Sequence, residues 1–291
     1  MKRGDNTVKS RAFFRLPRAG TCLTLRSLSK PLLAEKKDHI LTLTLSRPGT
    51  RNAWDEDYNE GIVRELDKAT DDDDVRVVVL TGDEAGGAFS AGANLKKENA
   101  HTTGGAKQFV KKIRRPRKFV ANFIGDFPKP VIASVNGYAI GVGAIVSLAC
   151  DLIVASDKSE WRLPQVALGI IPNYGGGTRI ARYAGKGMGM KIAMGFPLKA
   201  DEAYRLGIAQ WLVPHAELKA KTQEIAEHIA GLPPLAVSLM KESLIRGMDI
   251  PNLQDSSLTD AYRFLVLELS KDKDEAHRAW REKRKPKFLG E

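Results

Sequence analysis

The sequence predicts an α/β fold that ends in a helical region. Through the first two thirds of the 291 residues, short apolar or β-branched runs alternate with helical patterns, and such alternation is typical of α/β proteins. Beyond Leu232 the pattern is helical to the end of the chain. With 43% hydrophobic residues the chain can bury a sizeable core, which excludes a disordered or fibrous protein.

The first elements follow from local periodicity. Apolar and polar residues alternate over 39–46, which predicts a half-buried strand, and a helix with one apolar face is expected over 52–69. The β-branched run 75–81 favours a buried strand. The glycine-rich stretch 82–92 is expected to be a loop, and 96–106 a mobile loop followed by a basic helix.

The span 131–150 contains no charged residue across 20 positions, which is long enough for a transmembrane helix. Turn chemistry at Asn136-Gly137 and further glycines argue against a continuous helix. The span therefore predicts a buried strand over 131–135, a tight turn and a buried helix of about 142–149. Another strand is expected over 151–155.

The charge and cysteine content restrict the cellular setting. Of the net charge of +11, residues 1–34 contribute +7, and we expect them to be a basic N-terminal extension, either flexible or a targeting segment. The two cysteines, Cys22 and Cys150, cannot build a disulfide framework, which favours a reduced compartment. We expect a cytoplasmic protein, with the mitochondrial matrix as the alternative if 1–34 is a transit peptide. The remaining chain divides into a core, 35–230, and a helical region, 231–291.

One face of the helical region is apolar and polar residues cover the rest. The residues of this apolar face recur at three- and four-residue spacings, which predicts packing on the core or on another subunit. They are Leu258, Ala261, Tyr262, Leu265 and Leu269.

Two motifs point to chemistry that the context does not support. Gly185-x-Gly187-x-Gly189 lacks the preceding strand and the downstream acid of a dinucleotide site. Ala88–Gly92 imitates the nucleophile elbow of a serine hydrolase, with Ser90 as nucleophile, but it lies in a glycine-rich loop and not at a strand-to-helix turn. The hydrolase is kept as a minority alternative.

Two segments of small residues are more informative together. Residues 89–95 (FSAGANL) form a turn, and 136–143 (NGYAIGVG) reverse the chain into the predicted buried helix. Small residues permit close approach by a ligand, and the start of a helix leaves N–H groups free. Two such N–H groups converging on one oxygen would form an oxyanion hole; tight packing alone is the alternative.

A series of segments resembles the enoyl-CoA hydratase/isomerase (crotonase) family. It covers about 38–288 in the family's order and comprises, besides the two turns, RPGTRNA (47–53), FPKPVIASVNG (127–137), ACDLIVAS (149–156), LPQVALGIIPNYGGGTRI (163–180), LKADEAYRLGIAQWLVP (198–214) and EKRKPKF (282–288).

The resemblance implies a crotonase-like spiral of ββα units with a C-terminal helical oligomerisation region, and a homotrimer or dimer of trimers. It implies an acyl-CoA thioester as substrate and no prosthetic group. No metal is expected, because no Cys/His cluster in the sequence has the spacing of zinc ligands. By position, the main-chain N–H groups of Ala93 and Val142 would hold the thioester oxygen of an enolate, and such a donor is typically worth about 3 kcal/mol.

The resemblance also exposes departures at the family's acid/base positions. The two glutamates of a hydratase correspond to Ile145 and Gln165, neither of which exchanges a proton at neutral pH. The aspartate that some members carry in the next loop corresponds to Asn173, and Asn94 replaces another common aspartate. Because general acid–base catalysis contributes roughly 10²–10⁴-fold, ordinary hydration should be slow.

Three readings of the function therefore stay open. An enzyme could use this neutral pocket for another enolate reaction, such as decarboxylation of a malonyl-type thioester, for which Tyr174 lies near the position of a family tyrosine at Pro172. The chain could bind acyl-CoA without turnover. It could also bind RNA through the basic segment 107–118, although few aromatic residues accompany that charge, so nucleic acid is not the expected partner.

Candidate contacts to CoA come from both ends of the resemblance. CoA phosphates need basic neighbours, and family members place a lysine or arginine of the C-terminal region on them. The candidates are Arg47, Ala53, Ala91, Lys283 and Lys287.

Overall fold

The computed structural model describes residues 31–94, 105–107, 110 and 119–291. The predicted extension therefore lies outside the described residues except for 31–34, as do most of the predicted loop 96–106 and basic segment 107–118.

Two sheets form the core of the described chain. The larger sheet has the order β1-β2-β3-β5-β7-β10 and the smaller one β4-β6-β8-β9. The strands are β1 (Leu32–Lys37), β2 (Ile40–Leu45), β3 (Val77–Gly82), β4 (Ala88–Ser90), β5 (Val131–Val135), β6 (Tyr138–Ile140), β7 (Leu152–Ser156), β8 (Glu160–Arg162), β9 (Leu198–Lys199) and β10 (Trp211–Val213).

Helices cover the sheets and build the C-terminal region. Those in the described residues are α1 (Glu56–Thr70), α2 (Val120–Asp126), α3 (Val142–Ser147), α4 (Gly176–Ala193), α5 (Ala200–Arg205), α6 (Leu218–Ala230), α7 (Pro234–Gly247), α8 (Leu253–Glu268) and α9 (Lys271–Glu282).

The chain alternates between the two sheets and so forms a spiral. Strands β3, β5 and β7 are parallel neighbours in the larger sheet, and each is followed by β4, β6 or β8 in the smaller one. Helix α3 follows β6 and helix α4 follows β8. The predicted α/β class and its ββα spiral are confirmed.

The glycine-rich region after β3 differs from its prediction as a loop. It contains strand β4 and a 3₁₀ turn at Glu84–Gly86. Gly82 permits this arrangement, because a Cβ atom there would lie 2.2 Å from the Ala88 carbonyl oxygen. The loop prediction is wrong for 88–90, where strand β4 forms because β6 offers it a parallel partner.

Other boundaries moved for local reasons. Helix α1 begins at Glu56 and not at 52, because the Asp55 side chain caps it by accepting a hydrogen bond from the Tyr58 N–H. Strand β1, which the sequence reading missed, begins at Leu32 and pairs antiparallel with β2, ahead of the expected start of the core at 35. Strands β6, β8, β9 and β10 are also additions, each two or three residues long.

The uncharged span 131–150 forms β5, a turn, β6 and the buried helix α3, with only β6 missing from its prediction. No helix among the described residues has the length and apolar character needed to cross a membrane.

The helical region consists of α7, α8 and α9, and a buried ion pair ties α7 to the core. Lys241 Nζ lies 2.7 Å from Asp151 Oδ2 and also donates to the Ile124 and Lys129 carbonyl oxygens. Burial raises the pKa of Asp151, and the neighbouring ammonium group of Lys241 opposes that shift. The apolar face of α8, in contrast, is exposed in the single chain, with Leu265 60% and Leu269 88% accessible.

Candidate functional site

Three parallel strands of the smaller sheet end at one edge, where the candidate site lies. Strand β4 leads into Ala91–Asn94, β6 into Gly141 and Val142, and β8 into a 3₁₀ turn that holds Gln165. Because the carboxyl ends of neighbouring parallel strands meet at the same edge, residues far apart in sequence are brought together there.

The first turn is shaped by the buried hydroxyl of Ser90. Its Oγ donates to the Asn52 carbonyl oxygen at 2.7 Å and accepts from the Gly92 N–H at 3.3 Å. This hydroxyl fixes the turn, and among the described residues no histidine is hydrogen-bonded to it. The structure therefore gives no support to the serine hydrolase alternative.

Main-chain bonds on either side of Ala93 fix its orientation. The Trp54 N–H donates to the Gly92 carbonyl at 2.7 Å, and the Asn94 N–H donates to the Trp54 carbonyl at 2.9 Å. The N–H of Ala93 lies between these bonds and has no acceptor within the described part of the chain.

The second turn begins α3. Gly141 has a φ of +55°, a conformation that favours glycine, and its N–H donates to the Arg162 carbonyl. Its own carbonyl accepts the first helical bond, from the Ile145 N–H at 3.0 Å. As the first helical residue, Val142 has an N–H with no intrahelical acceptor, and none is found for it elsewhere in the described ranges.

The two turns are in contact. A Cβ atom at Gly92 would lie 2.9 Å from the Ile140 carbonyl oxygen and 3.9 Å from the Gly141 Cα. A Cβ at Gly143 would lie 2.7 Å from the Ser90 Cβ. The small residues in both segments are thus required by close packing between the turns, and that packing places two unbonded N–H groups in adjacent turns.

The first predicted departure from the family pattern, Ile145, is fully buried in α3. Its side chain packs closely on Gly176, where a Cβ atom would lie 2.9 Å from the Ile145 Cγ1 and 3.0 Å from the Pro172 Cβ. The position is sealed by apolar contacts and carries no group that could transfer a proton.

The second departure, Gln165, lies beside the second turn. A Cβ at Gly141 would be 3.5 Å from its Nε2, and its Oε1 is a buried oxygen without a hydrogen-bond partner among the described residues. The structure thus brings a neutral amide next to Gly141 and Val142. Asn94 is half-buried at the end of the first turn, whereas Asn173 is exposed in the loop before α4.

A row of aromatic side chains runs alongside the site. The ring of Trp54 lies 5.6 Å from that of Tyr58 and 6.4 Å from that of Phe119, and Phe119 stacks on Tyr174 at 3.9 Å. Sequence reasoning singled out Tyr174 but missed Trp54 and Phe119, because no regular spacing connects residues so distant in the chain.

Of the predicted CoA contacts, Arg47 and Ala53 lie between β2 and α1, and Ala91 lies in the first turn. The guanidinium of Arg47 pairs with Asp55 at 2.6 Å and Asp57 at 2.8 Å. Burial alone would lower the pKa of Arg47, but the hydrogen bonds and negative charge of the two carboxylates outweigh it and raise that pKa. Ala53 is half-buried, and the exposed Ala91 donates its N–H to the Arg51 carbonyl.

The proposed contacts at the C-terminal end are Lys283 and Lys287, both exposed. Lys283 ends α9 in a left-handed conformation, and the Lys287 N–H donates to Glu275. Glu275 also pairs with Arg284, whose hydrogen bonds lower the pKa of Glu275 to about 2. Both lysine side chains are thus exposed, while main-chain contacts hold this segment in place. Contact with CoA stays a prediction for these two lysines and for Arg47, Ala53 and Ala91.

Comparison with known proteins gives a consistent result. The model of the enoyl-CoA hydratase/isomerase family matches residues 35–291. The chain is 31% identical over 260 residues to 2,3-dehydroadipyl-CoA hydratase of Escherichia coli, covering 89% of this chain and 98% of that protein. It is 32% identical over 259 residues to short-chain-enoyl-CoA hydratase of Clostridium acetobutylicum, covering 87% and 95%.

Solved structures agree with the sequence relatives. An enoyl-CoA hydratase from Bacillus anthracis superimposes with a TM-score of 0.82 at 31% identity, covering 90% of this chain and all of that one. The fold is a spiral of ββα units with two touching turns, and the family model matches residues 35–291. The chain therefore belongs to the enoyl-CoA hydratase/isomerase family.

Proposed function

We propose that this chain binds an acyl-CoA thioester and stabilises its enolate with the main-chain N–H groups of Ala93 and Val142. The observation that carries the proposal is the pair of unbonded N–H groups in touching turns at one sheet edge, among the described residues. Donors fixed before the reaction stabilise charge as it develops, and removing one typically costs roughly 10²–10³-fold in rate.

The neutral pocket restricts the reaction class. Ile145 is sealed by apolar contacts and Gln165 supplies an amide, so neither position takes or gives a proton. Among enolate reactions, loss of carbon dioxide from a malonyl-type thioester depends least on a protein base. The bond between the α-carbon and the carboxylate breaks, its electron pair forms the enolate, and water then protonates the α-carbon.

Decarboxylation is tested by incubating the protein with methylmalonyl-CoA and ethylmalonyl-CoA. We expect carbon dioxide with equal amounts of propionyl-CoA or butyryl-CoA, detected by mass, while crotonyl-CoA in a parallel sample stays largely unhydrated. Tight acyl-CoA binding without carbon dioxide would contradict decarboxylation and favour the non-catalytic binder. Failure to bind any acyl-CoA would contradict the whole proposal.

We also propose that the protein is a homotrimer or dimer of trimers. The apolar face of α8 is uncovered in the single chain, with Tyr262 63% and Leu265 60% exposed. A second apolar patch, formed by Ile170 and Ile171, is 60% and 77% exposed in the loop after Gln165. Contiguous exposed apolar surface of this kind marks contact surfaces between proteins.

The oligomer is tested with Leu265→Lys, measured by size-exclusion chromatography with light scattering. Placing a charge on the proposed interface should shift the mass from three or six chains toward one, because an unpaired ammonium group is costly to bury. Gln223→Lys adds the same charge to an exposed position of α6, on a different helix from that face, and should leave the mass unchanged. A monomeric wild-type protein would contradict the proposal.

A further inference from the structure

The aromatic row joins the two parts of the candidate site. At one end, the main chain of Trp54 is bonded to both residues flanking Ala93. At the other end, Tyr174 follows Asn173 in the loop before α4. Phe119 lies between them, 6.4 Å from the ring of Trp54 and stacked on Tyr174 with an angle of 13° between the ring planes.

The stacked pair differs from the aromatic residues of the core. Trp161 and Phe89 are fully buried, as expected for residues that only fill space. Phe119 and Tyr174 are half-buried and pack on the edge of the core, so part of the pair stays accessible. An accessible flat apolar surface beside a site is suited to contact with a flat ligand group.

The backbone of Tyr174 supports the same interpretation. Its φ is +51°, a left-handed conformation that is unfavourable for a large side chain. The neighbouring Gly175 also has a positive φ, of +81°. Strained conformations persist where the surrounding structure enforces them, and they concentrate at ligand sites. Here the strain accompanies the placement of the tyrosine ring on Phe119.

The opposite side of the same loop is apolar. Pro172 and Ile145 pack around Gly176 so closely that no Cβ atom would fit there. Beside the stacked pair, this part of the described chain also holds the half-buried Pro172 and the half-buried Arg179, which lies against Gly175 and donates to the Ala121 carbonyl oxygen.

From these contacts we infer that the thioester carries an aryl acyl group, whose ring lies against the accessible side of the Phe119–Tyr174 pair. This inference rests on the proposed function and adds the substrate class to it. Offset stacking between aromatic rings favours them over saturated rings of the same carbon skeleton. Phe119 and Tyr174 are accordingly specificity-determining residues.

The test compares two ligands that differ only in aromaticity, 3-phenylpropanoyl-CoA and 3-cyclohexylpropanoyl-CoA, by isothermal titration calorimetry. We expect the phenyl compound to bind about threefold to tenfold more tightly. Tyr174→Leu and Phe119→Leu should each bring this ratio close to one. Phe123→Leu removes a half-buried ring one turn further along α2 and should keep the preference.

The outcomes separate this inference from the proposed function. If butyryl-CoA binds and the two ring compounds bind equally to the wild-type protein, the aryl assignment is wrong and the proposed function stands. A preference that survives both Tyr174→Leu and Phe119→Leu also overturns the assignment to this pair. If none of the thioesters binds, the proposed function itself fails.

Discussion

Crotonyl-CoA hydration by the Gln165→Glu variant is expected to exceed that of the wild-type protein by about tenfold to a hundredfold. Gln165 lies at one of the two positions where the family resemblance places a catalytic glutamate. Its Nε2 lies beside the turn that carries the Val142 N–H. The substitution exchanges one side-chain atom, so the pocket keeps its shape while gaining a group that can accept a proton from water.

The gain stays at the lower end of what general acid–base catalysis supplies because Ile145 provides no second carboxylate. The measurement is the initial rate of crotonyl-CoA loss, followed by its ultraviolet absorbance at neutral pH, with the Gln165→Met variant as control. Methionine matches the length of glutamine without an ionisable group and should give no gain. Wild-type hydration at a rate that Gln165→Glu does not improve would contradict the acid/base argument for this position.

Gly92→Ala is expected to lower the turnover of whichever acyl-CoA the wild-type protein converts fastest by about 10²–10³-fold. The added Cβ would lie 2.9 Å from the Ile140 carbonyl oxygen, and main-chain oxygen cannot move aside as a flexible side chain can. The turn must therefore shift. That shift moves the Ala93 N–H away from the thioester oxygen, which costs the stabilisation supplied by one of the two donors.

Gly87→Ala is the matched control for this prediction. Gly87 lies before β4 with a φ of +57°, so alanine meets the same kind of backbone strain as at Gly92, with a φ of +90°. A Cβ at Gly87 meets no atom within 4 Å. The left-handed conformation should cost each variant about 1 kcal/mol of stability in denaturant unfolding, and Gly92→Ala should lose more because of its contact with Ile140, but Gly87→Ala should keep its turnover. Equal turnover in the two variants would contradict the role of Ala93.

Several elements were predictable because their signals are local. The turn at Asn136-Gly137 follows from residue chemistry, and the helix after Gly141 begins at Val142, as predicted. The apolar face of α1, formed by Ile62, Leu66 and Ala69, is buried. Strand β4 was missed because three residues carry no periodicity of their own and need the neighbouring strand β6 to form.

The candidate site divides in the same way. Both donor turns and the substitutions at Ile145 and Gln165 were visible in the order of residues, since glycines and a missing carboxylate leave a direct mark on the sequence. The aromatic row was not, because Trp54, Phe119 and Tyr174 come from three separate connections that meet only in the folded chain. Arg47 shows the same limit: its pairing with Asp55 and Asp57 depends on how the chain enters α1.

The sequence by itself determined the family and, through that resemblance, the expected ββα spiral. It also showed that neither Ile145 nor Gln165 carries a carboxylate, because residue type is read directly from the order of residues. Only the tertiary structure decided that the turns after β4 and β6 touch and that Ile145 is sealed against Gly176. It also decided that a stacked aromatic pair lies beside the site. Parallel strands bring their carboxyl ends to one edge of the sheet. Residues that meet there are far apart in the chain, so their contacts cannot be predicted from sequence spacing.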